Sequence, residues 1–145
     1  KLIQIEREMA LNTATPYLAF RERVYGIREK LRDFVIGEAE KGKRIFVYGA
    51  STKGNVILQF CGLDHHYLEA AAERSPAKWG GRTPATGIPI ISEEQARAGS
   101  PDYFLALPWH FKDEFLEREK DFLANGGRFI FPLPKLEFID SNTMR

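Results

Sequence analysis

Cysteine is scarce in this chain. Cys61 is the only one in 145 residues, so no disulfide can form within it. A reducing cytoplasm is the expected setting. Long apolar runs are missing too: none approaches the ~20 residues that span a bilayer, which argues against a membrane role. Neither sign of charge dominates, with 21 Lys and Arg against 20 Asp and Glu for a net charge of +1. A nucleic-acid binder usually carries a strong basic excess, so that class is disfavoured. There is no internal repeat and no low-complexity tract. The chain opens on Lys1 rather than Met and shows no signal peptide, so the expectation is a processed product or an excised domain. What remains is 43% hydrophobic, 12% aromatic and 28% charged, the composition of one globular domain with a single sizeable core.

The apolar pattern divides the chain into alternating elements. Residues 1–15 carry only a weak helical pattern (Leu2, Ile5, Met9) and read as a linker or the end of a preceding domain. The domain proper is expected over 16–140, with a flexible tail at 141–145. Thr15 as N-cap and Pro16 at the first helical position open a helix. Its stripe of Tyr17, Phe20, Val24, Ile27, Leu31 and Phe34 faces inward, and it ends near Gly42. Strands are predicted at Arg44–Tyr48, Tyr67–Glu73, Ile88–Ile91, Asp102–Leu107, Arg128–Phe131 and Leu136–Ile139. Helices are predicted at Asn55–Cys61, after Ser92 (a cap with Glu93, Glu94 and Gln95 in the first turn), and from Phe111 to Asn125. Phe111, Phe115, Phe122 and Leu123 point inward in the last of these. Ser75–Gly87 reads as an irregular surface loop. Strands alternating with helices make a three-layer Rossmann-like α/β domain, its sheet mostly parallel with helices on both faces, plus an N-terminal helical extension.

Ligands of such sheets bind at the carboxyl ends of the strands, near the point where strand order reverses. Gly49–Asn55, Glu73–Lys78 and Pro108–His110 are expected there. Gly49, Ser51 and Gly54 fall on the three positions of a G-x-G-x-x-G fingerprint with the middle glycine replaced. Ser51 therefore disfavours a dinucleotide, and with it an oxidoreductase, but an anion site survives. The helix start presents N–H groups and its positive dipole end, and Ser51, Thr52, Lys53 and Asn55 add donors. With Ala50 they make Gly49–Asn55 the candidate phosphate-binding turn. No Gly-Lys-Ser/Thr ending exists, which disfavours NTP hydrolysis. Glu73 can accept from ribose hydroxyls, and Arg74, Lys78 and Arg82 can meet phosphate. Trp79 can stack on a base, Trp109 follows a strand end as a further candidate for the nucleotide-sugar site, and His110 can donate to phosphate or transfer a proton. Each also has a plain structural reading as a solvated or core-edge residue. No metal site is expected: Asp64, His65 and His66 lack further ligand spacing. Cys61 reads as a buried thiol. No catalytic residue is assigned.

The run Val47-Tyr48-Gly49-Ala50-Ser51-Thr52-Lys53-Gly54-Asn55 resembles the C-terminal domain of S-adenosylmethionine-dependent sugar-nucleotide C-methyltransferases. The likeness continues through Glu73-Arg74-Ser75-Pro76, Thr83-Pro84, Thr86-Gly87-Ile88-Pro89-Ile90, Leu107-Pro108-Trp109-His110-Phe111 and Phe131-Pro132-Leu133-Pro134. Glu73 stands where that family more often has Asp, and Ala85 where it more often has Gly. The resemblance implies a domain that helps hold a nucleotide-sugar while a middle domain binds S-adenosylmethionine. It also implies a zinc-binding domain upstream, whose cysteine cluster this segment lacks. No cofactor is expected on this domain, which should not methylate anything alone. The expected partners are the nucleotide-sugar substrate and the upstream domains of the same chain, with no nucleic acid and no membrane. Two other readings stay open: a stand-alone regulatory module binding a nucleotide or coenzyme A, and a non-binding scaffold.

Overall fold

The computed structural model describes residues 1–143. A short helix α1 (Leu2–Glu8), with no buried residue, precedes the long α2 (Thr15–Glu40). The rest of the chain runs β1 (Ile45–Tyr48), α3 (Thr52–Cys61), β2 (Ala71–Glu73), β3 (Ile90–Ser92), α4 (Glu93–Ala98), β4 (Tyr103–Ala106), α5 (Lys112–Arg118), α6 (Lys120–Ala124), β5 (Arg128–Phe131) and β6 (Glu137–Ile139). Single 3-10 turns lie at Pro76–Lys78 and Trp109–Phe111.

The strands form one six-stranded sheet in the order β3-β2-β1-β4-β5-β6. All pairs are parallel except β5–β6. The Rossmann-like expectation is borne out. Strand order reverses between β1 and β4, which are in register from Ile45↔Tyr103 to Tyr48↔Ala106. Their carboxyl ends therefore open side by side.

Period-2 alternation assigns the two faces. Ile45 and Val47 join Leu31, Val35, Leu58 and Cys61 of α2 and α3 in one core layer. Phe46 and Tyr48 join Phe104, Phe129, Phe115 and Leu123 in an aromatic layer beneath α4, α5 and α6. Ser92 caps α4 as predicted, in a box closed by Gln95.

Several boundaries differ from the sequence reading. Thr15 is the first residue of α2 rather than its cap, a place taken by Ala14. Only the later part of the α2 stripe covers the sheet: Leu31 is buried, whereas Tyr17 and Phe20 are exposed. A helix of 26 residues is about 39 Å long and overhangs strands of three or four residues. The strand expected at Tyr67–Glu73 contracts to Ala71–Glu73. The loop at Ser75–Gly87 is less of a surface loop than expected. Thr83 and Thr86 are buried, sharing a 2.6 Å hydrogen bond, and the Thr83 hydroxyl accepts from the Ile88 amide. The helix expected over Phe111–Asn125 breaks at Glu119, and Phe111 is exposed rather than inward. Among the described residues, no helix is long and apolar enough to cross a membrane.

Candidate functional site

At the reversal point lies a cleft of about 610 Å³, within the usual range of small-molecule sites. The β1–α3 turn forms its first wall. Gly49 has φ +90°, and a Cβ there would meet the Pro108 ring at 2.7 Å, so the β1 and β4 exits approach each other only because this residue lacks a side chain. Gly54 lies against Leu107, where a Cβ would come within 2.7 Å; that close helix–strand packing is the role expected of the third fingerprint glycine.

Helix α3 starts three residues earlier than predicted, at Thr52, because Ser51 caps it: the Ser51 Oγ accepts from the Gly54 amide at 3.0 Å. Gly49, Ser51, Thr52 and Lys53 line the cleft. Among the described residues Lys53 makes no ion pair, so its ammonium is free to meet a ligand. Ala50, Gly54 and Asn55 do not line the cleft, the first being buried and the second packed on Leu107.

Glu73, Arg74 and Lys78 form the second wall. Lys78 Nζ bridges the Ala50 carbonyl at 3.0 Å and Glu73 Oε2 at 3.1 Å, tying the two walls together. Glu73 Oε1 accepts from the Ser75 amide. The Trp79 indole donates to the Glu73 carbonyl at 2.7 Å. Arg82 donates to the Gly87 carbonyl instead of joining Arg74 and Lys78.

His110 lines the cleft from the β4 side, whereas Trp109, its neighbour, turns into a separate groove. That groove, about 580 Å³, is bounded by Phe20, Val24, Val56, Phe60 and Pro132–Pro134. The two volumes share one wall, the 3-10 turn Trp109–Phe111.

The floor was not read from the sequence. Tyr48 donates to Glu119 Oε1 at 2.6 Å. Arg97 grips both oxygens of that carboxylate, with its shortest contact at 2.7 Å. Arg118 Nε donates to the Tyr48 oxygen at 3.1 Å. The Glu119 side chain is only 1% exposed, so the Arg97 contact compensates a buried charge. Burial, then the Glu119 carboxylate, push the Tyr48 hydroxyl far above its ordinary range, and it stays a neutral donor. The signal was present: Glu119 sits four residues after Phe115 and four before Leu123, on the apolar stripe, where an unpaired carboxylate would be costly. The α5 wall adds Glu114 and Arg118, which no motif marked.

Away from the cleft, Asp64, His65 and His66 place their ligand atoms within 4.8 Å of one another. Two of them already bond each other, His66 Nδ1 to Asp64 Oδ1 at 2.9 Å, and His65 Nδ1 lies 3.2 Å from the Thr86 carbonyl. Cys61 is buried, which raises its thiol to about 11.

The comparisons with known proteins agree with this architecture. Residues 1–134 match the model of a C-methyltransferase C-terminal domain. The chain is 36% identical over 143 residues to the C-methyltransferase NovU of Streptomyces niveus, an alignment covering 99% of this chain and 34% of NovU. It thus spans about a third of that relative's length. With a match over nearly its whole length, the chain belongs to the family of C-methyltransferase C-terminal domains.

Proposed function

We propose that this domain holds the diphosphate of a nucleotide-sugar substrate while methyl transfer takes place beside it. The observation that carries the reading is the cleft at the strand reversal, with the unpaired Lys53 ammonium and the α3 N-terminus on one wall. A helix start offers unsatisfied N–H groups and a positive dipole end to an anion. His110 adds a further donor from the β4 side, and Glu73 and Arg74 complete the rim.

S-adenosylmethionine, bound elsewhere in the enzyme, supplies the methyl group. This chain's own residues bind and orient. Fixing the diphosphate fixes the sugar carbon relative to the donor, which contributes to rate through the entropy of positioning.

The apolar groove beside the cleft suits the rest of such an enzyme. Phe20 is 59% exposed and Val56 65%, and the relative is about three times as long as the aligned segment. We place the neighbouring domain there. Seated on Trp109, it would also wall the cleft at His110.

Calorimetric titration with a thymidine-diphosphate sugar, NAD and coenzyme A tests the reading. The sugar nucleotide should bind selectively, and Lys53→Ala should weaken it by about tenfold, the loss of one charge-assisted contact. Selective binding of NAD or coenzyme A would overturn it in favour of a regulatory module. Binding of no ligand would leave a scaffold or a half-site that needs the neighbouring domain.

A further inference from the structure

We propose that Arg74 and Arg118 form a second anion subsite on the α5 side of the cleft, which Glu114 fills as an internal counter-ion until a phosphate group displaces it. The proposal rests on the reading of the cleft as a diphosphate site and names the residues that would meet the phosphate farther from Lys53.

The geometry is specific. A single atom, Glu114 Oε1, lies 3.4 Å from Arg74 Nη1 and 3.4 Å from Arg118 Nη1. Two guanidinium groups from distant parts of the chain, the end of β2 and the end of α5, thus already converge on one anionic oxygen. Both contacts are long for charge-assisted hydrogen bonds, which run about 2.7–2.9 Å. The Glu114 side chain is 54% exposed, so little holds it in place.

The other carboxylates of the cleft are held differently. Glu73 is taken by Lys78 and the Ser75 amide, and Glu93 pairs with Arg97 at 3.2 Å. Arg118 itself is under-satisfied: its Nη2 is buried and makes no hydrogen bond among the described residues, with the Glu93 carboxylate at 3.7 Å. An anion bearing several oxygens satisfies such a pair better than one loosely held carboxylate. A guanidinium fork matches phosphate geometry, and a diphosphate offers both the charge and the oxygens.

The consequence is counterintuitive: removing a cleft residue strengthens binding. Inorganic pyrophosphate is the probe, titrated calorimetrically into the full chain and its variants. Glu114→Gln should bind it about three- to tenfold more tightly, and Arg74→Gln more weakly by a similar factor. In the double variant the gain from Glu114→Gln should shrink to what Arg118 alone can give, because its origin is the freed arginine pair. Arg118 is left intact, since its contact with Tyr48 also supports the floor. Unchanged thermal midpoints establish that the variants are folded.

Unchanged or weaker pyrophosphate binding by Glu114→Gln overturns the proposal, as does a gain that persists undiminished without Arg74. The wider reading fails separately. If pyrophosphate responds as described but a thymidine-diphosphate sugar binds no tighter than pyrophosphate, the subsite stands and the nucleotide-sugar assignment falls. If the sugar nucleotide binds selectively and Glu114→Gln changes nothing, the reverse holds.

Discussion

The polar cleft and the apolar groove lie on opposite sides of one 3-10 turn, Trp109–Phe111, and are built on contrary principles. In the cleft, charges from β2, α4 and α5 are set against one another, so that Lys78, Arg74 and Arg118 each have a carboxylate in reach. Lys53 alone stands outside these pairs among the described residues. The groove has one charged residue, Arg28, and its exposed large hydrophobic side chains are Phe20, Val56 and Phe60. Solvated ions cost little when no ligand is present, so the cleft can wait in water. Apolar surface gains only when another apolar surface covers it. The contrast supports a small anionic ligand for the first and a protein surface for the second.

Substitutions can separate the two. The largest effect is expected at the cleft floor. Glu119→Ala leaves Arg97 and the buried Tyr48 hydroxyl without their shared acceptor, and should cost about 3 kcal/mol in chemical denaturation. Next comes Gly49→Ala, which forces a Cβ into Pro108 at a positive φ. About 2 kcal/mol should be lost, together with ligand affinity, because the β1 and β4 exits must part.

Ala85→Gly serves as a control at a residue that lines neither surface. Ala85 is held at φ +63°, a left-handed conformation that glycine adopts without strain. A gain of about 1 kcal/mol is expected with no change in any binding property. Val56→Ser with Phe20→Ser should stay within about 0.5 kcal/mol of the parent domain, since both side chains already face water. In a full-length enzyme the same pair should lower methyl transfer while leaving the domain's own ligand affinity intact. Loss of that affinity in the isolated domain would break the division between cleft and groove.

A further effect is electrostatic and lies outside both surfaces. Arg44 holds the Glu69 carboxyl below its ordinary value of 4.5. Its contribution is therefore present above pH 4.5 and is lost as pH falls through the lowered folded-state value. Both partners are more than 40% exposed, so screening keeps this below about 1 kcal/mol. Glu69→Gln should flatten the acid limb of a stability–pH curve by no more than that.

Much of the fold was legible because local pattern and tertiary packing agree. Ile45–Tyr48 and Tyr103–Ala106 are short apolar runs between turn signals, and both became buried central strands. Ser92 followed by Gln95 announced its own capping box. The candidate site was legible in part: Gly49, Ser51, Lys53, Glu73, Arg74, Lys78 and His110 line one cleft, since strand order brings three loops to one place. Trp109 was not legible in this sense. One residue along a 3-10 turn decides which side a side chain faces, and neighbouring residues in sequence gave no indication of it.

The sequence by itself determined where chain direction changes, which apolar runs become central strands, and which glycine-bearing turn leads from β1 into a helix. These depend on neighbours within a few positions, through backbone preference and apolar period. The tertiary structure alone decided that Glu119 interrupts a helix to hold Arg97 and Tyr48, that Arg74 and Arg118 meet at Glu114, and that half of the α2 stripe has no sheet beneath it. Those depend on groups separated by tens of residues. Ionic reach and surface coverage act through space, and only the strand order β3-β2-β1-β4-β5-β6 sets which of them are neighbours.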